Sequence, residues 1–173
     1  MKTLILGGVR SGKSRLAEQL AIKSGLPVTY LATATALDDE MRARIEAHRA
    51  CRPAHWPLVE EPIRLAASLY AHAASNRCLI VECLTLWLTN LLTATDSAIF
   101  ERELTALLNA LPKLAGRIIL VGNETNMGVI PMGSLSRRYC DEAGRLHQNL
   151  ARLCDRVVLT VAGLPHVLKG EIL

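Results

Sequence analysis

Gly7-Gly8-Val9-Arg10-Ser11-Gly12-Lys13-Ser14 satisfies the pattern G-x-x-x-x-G-K-[ST] at every fixed position. An apolar run, Thr3–Leu6, precedes it, and a helical pattern, Ser14–Lys23, follows with Leu16 and Leu20 four apart. Strand, glycine loop and helix in that order form the setting in which this pattern binds phosphate. Glycine lets backbone N–H groups turn inward around phosphate oxygens, and the start of the helix adds partial positive charge. On this reading Lys13 reaches the β- and γ-phosphates of a nucleoside triphosphate, and the Ser14 hydroxyl binds Mg²⁺.

Working outward, further apolar runs at Val28–Ala32, Leu79–Val81, Ile118–Val121 and Val157–Val161 read as buried parallel strands. Between them lie helical segments at Asp38–Ala50, Pro62–Ala74, Leu84–Leu92, Ala98–Leu111 and Ser134–Leu153. Gly25 ends the first helix, and three acids open the Asp38 segment, where a helix dipole favours them. Strands alternating with helices predict an α/β fold with a mainly parallel sheet flanked by helices. Ligands in such sheets sit at the carboxyl ends of the strands. The loops to watch therefore begin at Gly7, Thr33, Glu82, Gly122 and Ala162.

The 173 residues suit a single domain over 1–173, with no repeats and no linker. Half are hydrophobic but only 3% are aromatic, so Leu, Ile, Val and Ala must build the core. The five cysteines, 51, 78, 83, 140 and 154, make an odd count with no C-x-x-C pair, which predicts reduced thiols rather than a disulfide framework or a zinc site. No N-terminal run resembles a signal peptide. The apolar stretch Cys78–Leu92 contains Glu82 and falls short of the ~20 residues of a membrane span. A cytoplasmic protein without a membrane span is expected. The charge of +4 is modest, and no basic run is interleaved with aromatics, so no nucleic-acid partner is expected.

A phosphate loop that holds Mg²⁺ normally has a second acid at the end of a neighbouring strand. Two residues qualify: Glu82 after Leu79-Ile80-Val81, and Glu124 after Val121-Gly122-Asn123. A second informative stretch runs from Arg42 to Pro53, where Arg44, His48 and Arg52 stand four apart. Surrounding cations would keep the imidazole neutral, leaving a lone pair for attack on an α-phosphate. The same arginines would hold a pyrophosphate leaving group. His48 also neighbours Met41 and Ile45 on the helical wheel, so a residue bordering the core remains the alternative. His55, His72, His147 and His166 read as surface or packing residues.

The loop Gly7–Arg15 resembles the G-G-A-R-S-G-K-S-R loop of the bifunctional adenosylcobinamide kinase/adenosylcobinamide-phosphate guanylyltransferases of cobalamin biosynthesis. The likeness continues through Tyr30–Thr33, Asp38–Met41, Arg44-Ile45, His48, Arg52-Pro53 and Trp56. Val81–Thr85, Thr89–Leu92, Asn123-Glu124, Gly128–Pro131 and Asp141–Gly144 extend it along nearly the whole chain. The resemblance implies a RecA-like P-loop NTPase fold and a homotrimer. It implies phosphorylation of the aminopropanol hydroxyl of adenosylcobinamide with ATP or GTP. It further implies transfer of GMP from GTP to adenosylcobinamide phosphate through a guanylylated histidine, which His48 matches. Nucleotide contacts carry over to Gly7, Gly8, Val9, Arg10, Ser11, Gly12, Lys13 and Ser14, to Ala32, Thr33 and Ala34, to Arg49, Ala50, Cys51 and Arg52, and to Glu60 and Glu82. Adjacent Glu61 competes with Glu60 for its place. The chain departs from the family's N-E-V-G-x-G at Asn123–Gly128, where Asn126 is expected to keep a left-handed turn. His147 stands where an Asn is common.

Two other functions fit the loop alone. One is a plain P-loop small-molecule kinase in which His48 is structural. The other is a non-enzymatic RecA-like nucleotide switch that binds a protein or DNA partner, with the low aromatic content and the lack of a basic tail weighing against DNA.

Overall fold

The computed structural model describes residues 1–35, 39, 42, 43, 46 and 52–171. A seven-stranded sheet runs through it, built of β1 (Lys2–Gly7), β2 (Val28–Ala32), β3 (Leu58–Glu60), β4 (Cys78–Glu82), β5 (Arg117–Asn123), β6 (Arg156–Val161) and β7 (Leu164–Lys169). The spatial order is β3-β2-β4-β5-β1-β6-β7, with every pair parallel except the hairpin β6–β7. The helices are α1 (Lys13–Lys23), α2 (Leu65–His72), α3 (Leu84–Thr93), α4 (Ile99–Ala110) and α5 (Ser134–Leu153). The expected helix Asp38–Ala50 falls largely outside the described residues.

The five expected strands form because their residues are apolar on both faces, as a strand covered on both sides requires. Alternate side chains divide between two cores. Leu4, Leu6, Leu31, Leu79, Val81, Ile118 and Leu120 face α2 to α5, where Trp87, Leu88, Leu107 and Leu150 are fully or almost fully buried. Ile5, Val28, Tyr30, Ile80, Ile119 and Val121 face Ala17 and Ala21 of α1, with Trp56 beside them. Ala17 and Ala21, both fully buried, are the α1 residues that enter this core.

The sequence reading missed two strands. β3 is only three residues long and sits at an edge, too short to show a period. β7 contains Pro165 and is mostly exposed; proline belongs on edges, where its missing N–H costs no ladder bond. α2 starts three residues later than the expected Pro62–Ala74. The Glu61 carboxylate accepts hydrogen bonds from the Ile63 and Arg64 amides, and so shapes a turn ahead of the helix.

β7 also closes the end of α5. Lys169 Nζ donates to the carbonyls of Ala151 (2.9 Å), Arg152 (3.0 Å) and Cys154 (2.7 Å), placing a cation where the helix dipole is negative. Lys169→Met should lower stability by about 1 kcal/mol, read as an earlier urea midpoint with an unchanged slope.

Candidate functional site

The carboxyl ends of β2, β4, β5 and β1 meet at one edge of the sheet, and the glycine loop turns there into α1. Its shape is imposed from behind. A Cβ on Gly7 would collide with the Thr160 carbonyl and stand 2.6 Å from Ser11 Oγ. Gly12 has φ +98°, and its Cα side lies against Gly163 of the β6–β7 turn, where a Cβ would come within 3.2 Å. Ser11 Oγ and Thr160 Oγ1 hydrogen-bond at 2.9 Å, Thr160 Oγ1 donates to Leu6 O, and Gly163 N donates to Ser11 O at 3.0 Å. The loop is thus clamped against β6 and its hairpin. Gly8, Val9 and Arg10 are exposed, with Arg10 in the left-handed region at φ 55°, while Ser11 and Lys13 are buried. No side chain caps the start of α1, so its first amides are left for an anion.

Lys13 Nζ donates to Gly8 O at 2.6 Å, which folds the ammonium over the loop. Burial pushes its pKa down, and Glu82 and Cys83 oppose that. Ser14 Oγ donates to Glu82 Oε1 at 2.7 Å. The other oxygen, Glu82 Oε2, is buried with no hydrogen-bond partner. Burial raises the Glu82 carboxyl to about 7, against the Ser14 hydrogen bond and the charge of Lys13. Of the two acids that the sequence leaves open, Glu82 is the one joined to Ser14. Glu124 is engaged elsewhere: its Oε1 accepts from the Asn126 amide at 2.7 Å and its Oε2 lies 3.6 Å from His147 Nδ1. His147 is a packing residue as expected, buried on α5, and its burial pushes the imidazole pKa down while Glu124 opposes.

Asn126 does not take the left-handed turn expected of it; among the described non-glycine residues only Arg10 and Ala162 have positive φ. Its side chain carries the connection instead, with Nδ2 donating to Cys140 O on α5 at 3.0 Å.

Thr33 is fully buried, and its polar groups are committed to holding the strand ends together. Its amide donates to Glu82 O, its hydroxyl donates to Cys83 O and accepts from Cys83 N, and its carbonyl accepts from Asn90 Nδ2. Ala32 and Ala34 beside it are half-buried. Asn90 Nδ2 also reaches Pro62 O, and Thr85 Oγ1 accepts from Asn123 N at 2.8 Å, so α3 ties together the loops after β2, β3 and β5. Glu60 ends β3 exposed, in register with Ala32, whereas the Glu61 carboxylate is spent on the turn before α2. Arg52 stacks on Tyr30. His48, Arg49, Ala50 and Cys51 lie outside the described residues. Thr160 and Gly163 were not singled out from the sequence, and Thr85 and Asn90 stood in the family-like stretches without a role. Only the glycine after Ala162 gave a local turn signal.

Fold and loop together define a P-loop NTPase of the RecA-like kind. The crystal structure of the RadB recombinase matches with a TM-score of 0.51 and 20% identity, over 91% of this chain and 73% of that one. An ATPase of a bacterial type III secretion system matches with a TM-score of 0.57 and 10% identity, over 96% and 56% respectively. Both likenesses concern the fold alone. The chain belongs to the cobinamide kinase / cobinamide phosphate guanyltransferase family, whose pattern it matches over residues 3–168. It is 63% identical to the bifunctional adenosylcobalamin biosynthesis protein CobP of Pseudomonas aeruginosa over 171 residues, 99% of each chain. It is 40% identical to the bifunctional adenosylcobalamin biosynthesis protein CobU of Escherichia coli K12, over 95% of this chain and 97% of that one.

The raised pKa of Glu82 has a consequence for stability. A folded-state pKa above the ordinary 4.5 means that the native state holds the proton more tightly than the unfolded chain. The resulting stabilisation is complete below about 4.5 and is lost as pH rises through about 7. In chelator, the melting temperature of Glu82→Gln should therefore climb relative to the unsubstituted protein across that window. A difference that stays flat with pH would contradict the burial assigned to this carboxyl.

Proposed function

We propose that this chain phosphorylates the aminopropanol hydroxyl of adenosylcobinamide with ATP or GTP. It then transfers GMP from GTP to the new phosphate through a guanylylated His48, giving adenosylcobinamide-GDP. The observation that carries this reading is the family match from residue 3 to residue 168, since both reactions stand in the family's description. The intact loop and the Ser14–Glu82 contact support the nucleotide half of it.

The residues fit a Mg²⁺ ion. A buried carboxylate oxygen without a partner, beside the hydroxyl of the phosphate loop, offers two hard oxygen donors, and Mg²⁺ takes few protein ligands when phosphates complete its shell. Ser14 and Glu82 would hold the ion, which when bound neutralises charge on the β- and γ-phosphate oxygens. In the kinase step the loop amides and Lys13 bind the triphosphate. The acceptor hydroxyl attacks the γ-phosphorus, the bond to the β-phosphate oxygen breaks, and the hydroxyl proton passes to solvent. In the second step an imidazole nitrogen of His48 attacks the α-phosphorus of GTP and pyrophosphate leaves. A phosphate oxygen of adenosylcobinamide phosphate then attacks the same phosphorus, breaking the P–N bond. Arg49 to Arg52, Ala32 to Ala34 and Glu60 complete the nucleotide contacts. The commitment of Glu61 to its turn supports Glu60 as the acid of that pair.

The whole of 1–173 acts as one domain, in the cytoplasm, as a homotrimer. No described helix is long and apolar enough to cross a membrane. Self-association is supported by Met127, Val129, Ile130, Met132 and Leu135, all more than half exposed within nine residues. Sedimentation at micromolar concentration should give three times the chain mass of 18.9 kDa; a stable single-chain species overturns the trimer.

Incubation with α-labelled GTP and Mg²⁺ should label the protein through a bond that acid breaks and base leaves intact. γ-Labelled GTP should leave no label. His48→Asn should lose both the label and guanylyl transfer while keeping kinase activity. Lys13→Ala should lose the kinase by two orders of magnitude or more, on the order of the effect of other preorganised charge donors. Label persisting in His48→Asn sinks the histidine mechanism.

A further inference from the structure

A second polar group lies on the α1 face of the sheet, one step below the Ser14–Glu82 contact. Tyr30 of β2 pairs with Ile80 of β4, and two residues further on Ala32 pairs with Glu82. The period of two puts Tyr30 on the face that carries Glu82. The ring is 6% exposed and packs in the core with Ile80, Ala17 and Trp56. The Arg52 guanidinium covers it, with its carbon 4.6 Å from the ring centroid, within cation–π range. Glu18 is half-buried on α1, one turn beyond Ser14. Its carboxyl is pushed up by burial and drawn back by the Arg52 charge.

A free arginine side chain samples many rotamers, and a planar guanidinium stacked on a fixed ring has few left. Tyr30 is an unusual surface for that purpose, because its own position is set by strand pairing on both sides, with Leu58 and with Ile80. We propose that Tyr30 is the positioning residue for Arg52, its ring face holding the guanidinium on the Glu82 side of the sheet, where it meets the phosphates of the guanylyl donor. This rests on the reading of Arg52 as a nucleotide contact.

A double-mutant cycle on the full chain separates the two ideas. The measured quantities are the Kd for GTP with Mg²⁺ and kcat for phosphorylation at saturating ATP. Tyr30→Leu should raise the Kd by about three- to thirtyfold, as loss of a partly desolvated cation–π contact would. Tyr30→Phe, which keeps the ring, should stay within about twofold of the unsubstituted protein, and Tyr30→Leu should add nothing in an Arg52→Ala background. The kinase kcat of Tyr30→Leu should move by less than about twofold, which a general packing defect would not allow. If Arg52→Ala leaves the Kd unchanged, Arg52 is no contact and the proposal falls with that reading. If Arg52→Ala weakens binding while Tyr30→Leu does not, or if Tyr30→Phe is as weak as Tyr30→Leu, the contact stands and the positioning role is wrong. Should Tyr30→Leu not fold, Arg52→Lys decides the matter without touching the core. It keeps the charge but gives up the planar stack, and an unchanged affinity in it overturns the proposal.

Discussion

The phosphate loop has no slack on the side that faces the sheet. Gly7 is pressed against Thr160, where a side chain would collide, and Gly12 against Gly163, where one would be crowded on a backbone at φ +98°. Three hydrogen bonds, Ser11 to Thr160, Thr160 to Leu6 and Gly163 to Ser11, lock the loop in that pose. Much of the remaining architecture follows from this contact. β6 must lie next to β1, and the β6–β7 turn must reach up to the loop. β7 in turn brings Lys169 to the end of α5. A hairpin at the margin of the sheet therefore stabilises the most functional segment from behind, leaving the exposed Gly8–Arg10 arc free to face a ligand.

The same edge sorts two acids with similar surroundings in the sequence into different duties. Glu82 ends β4 with one oxygen on Ser14 and the other buried without a partner, an arrangement costly for a protein unless a cation or a donor takes it up. Glu124 follows β5 and accepts a hydrogen bond from an amide of its own loop, with His147 Nδ1 3.6 Å from its other oxygen. The first arrangement suits a ligand and the second suits a scaffold. α3 holds this end of the sheet together, because Asn90 takes up the carbonyls of Thr33 and Pro62 and Thr85 the amide of Asn123.

Four helices cover one face of the sheet, and among the described residues α1 is the helix on the other. That face carries the reactive groups, since Ser14, Glu18, Tyr30 and Glu82 all project to it. Buried polar groups are tolerated there because nearly every one has a partner of opposite character: hydroxyl with carboxylate, guanidinium with ring, ammonium with carbonyl. The chain is consequently an α/β protein in which one core supplies stability and the other supports the chemistry.

From the sequence alone the phosphate loop was legible, because its eight residues, its preceding strand and its following helix are contiguous and need only local chemistry to interpret. The five central strands and the helix Ser134–Leu153 were legible for a related reason: two-sided burial and a sustained amphipathic period leave their mark in composition. β3 and β7 were not, since short exposed edges bury too little to impose a pattern. Neither was the backbone of Asn126, where a side-chain bond to α5 replaced the expected left-handed turn. The hydrogen bond that joins Ser14 to Glu82 rather than to Glu124 became visible only in three dimensions, as did the clamp of Thr160 and Gly163 and the seating of Arg52 on Tyr30. These depend on which strands become neighbours, and strand order is settled by the packing of residues more than a hundred positions apart, which no local pattern records.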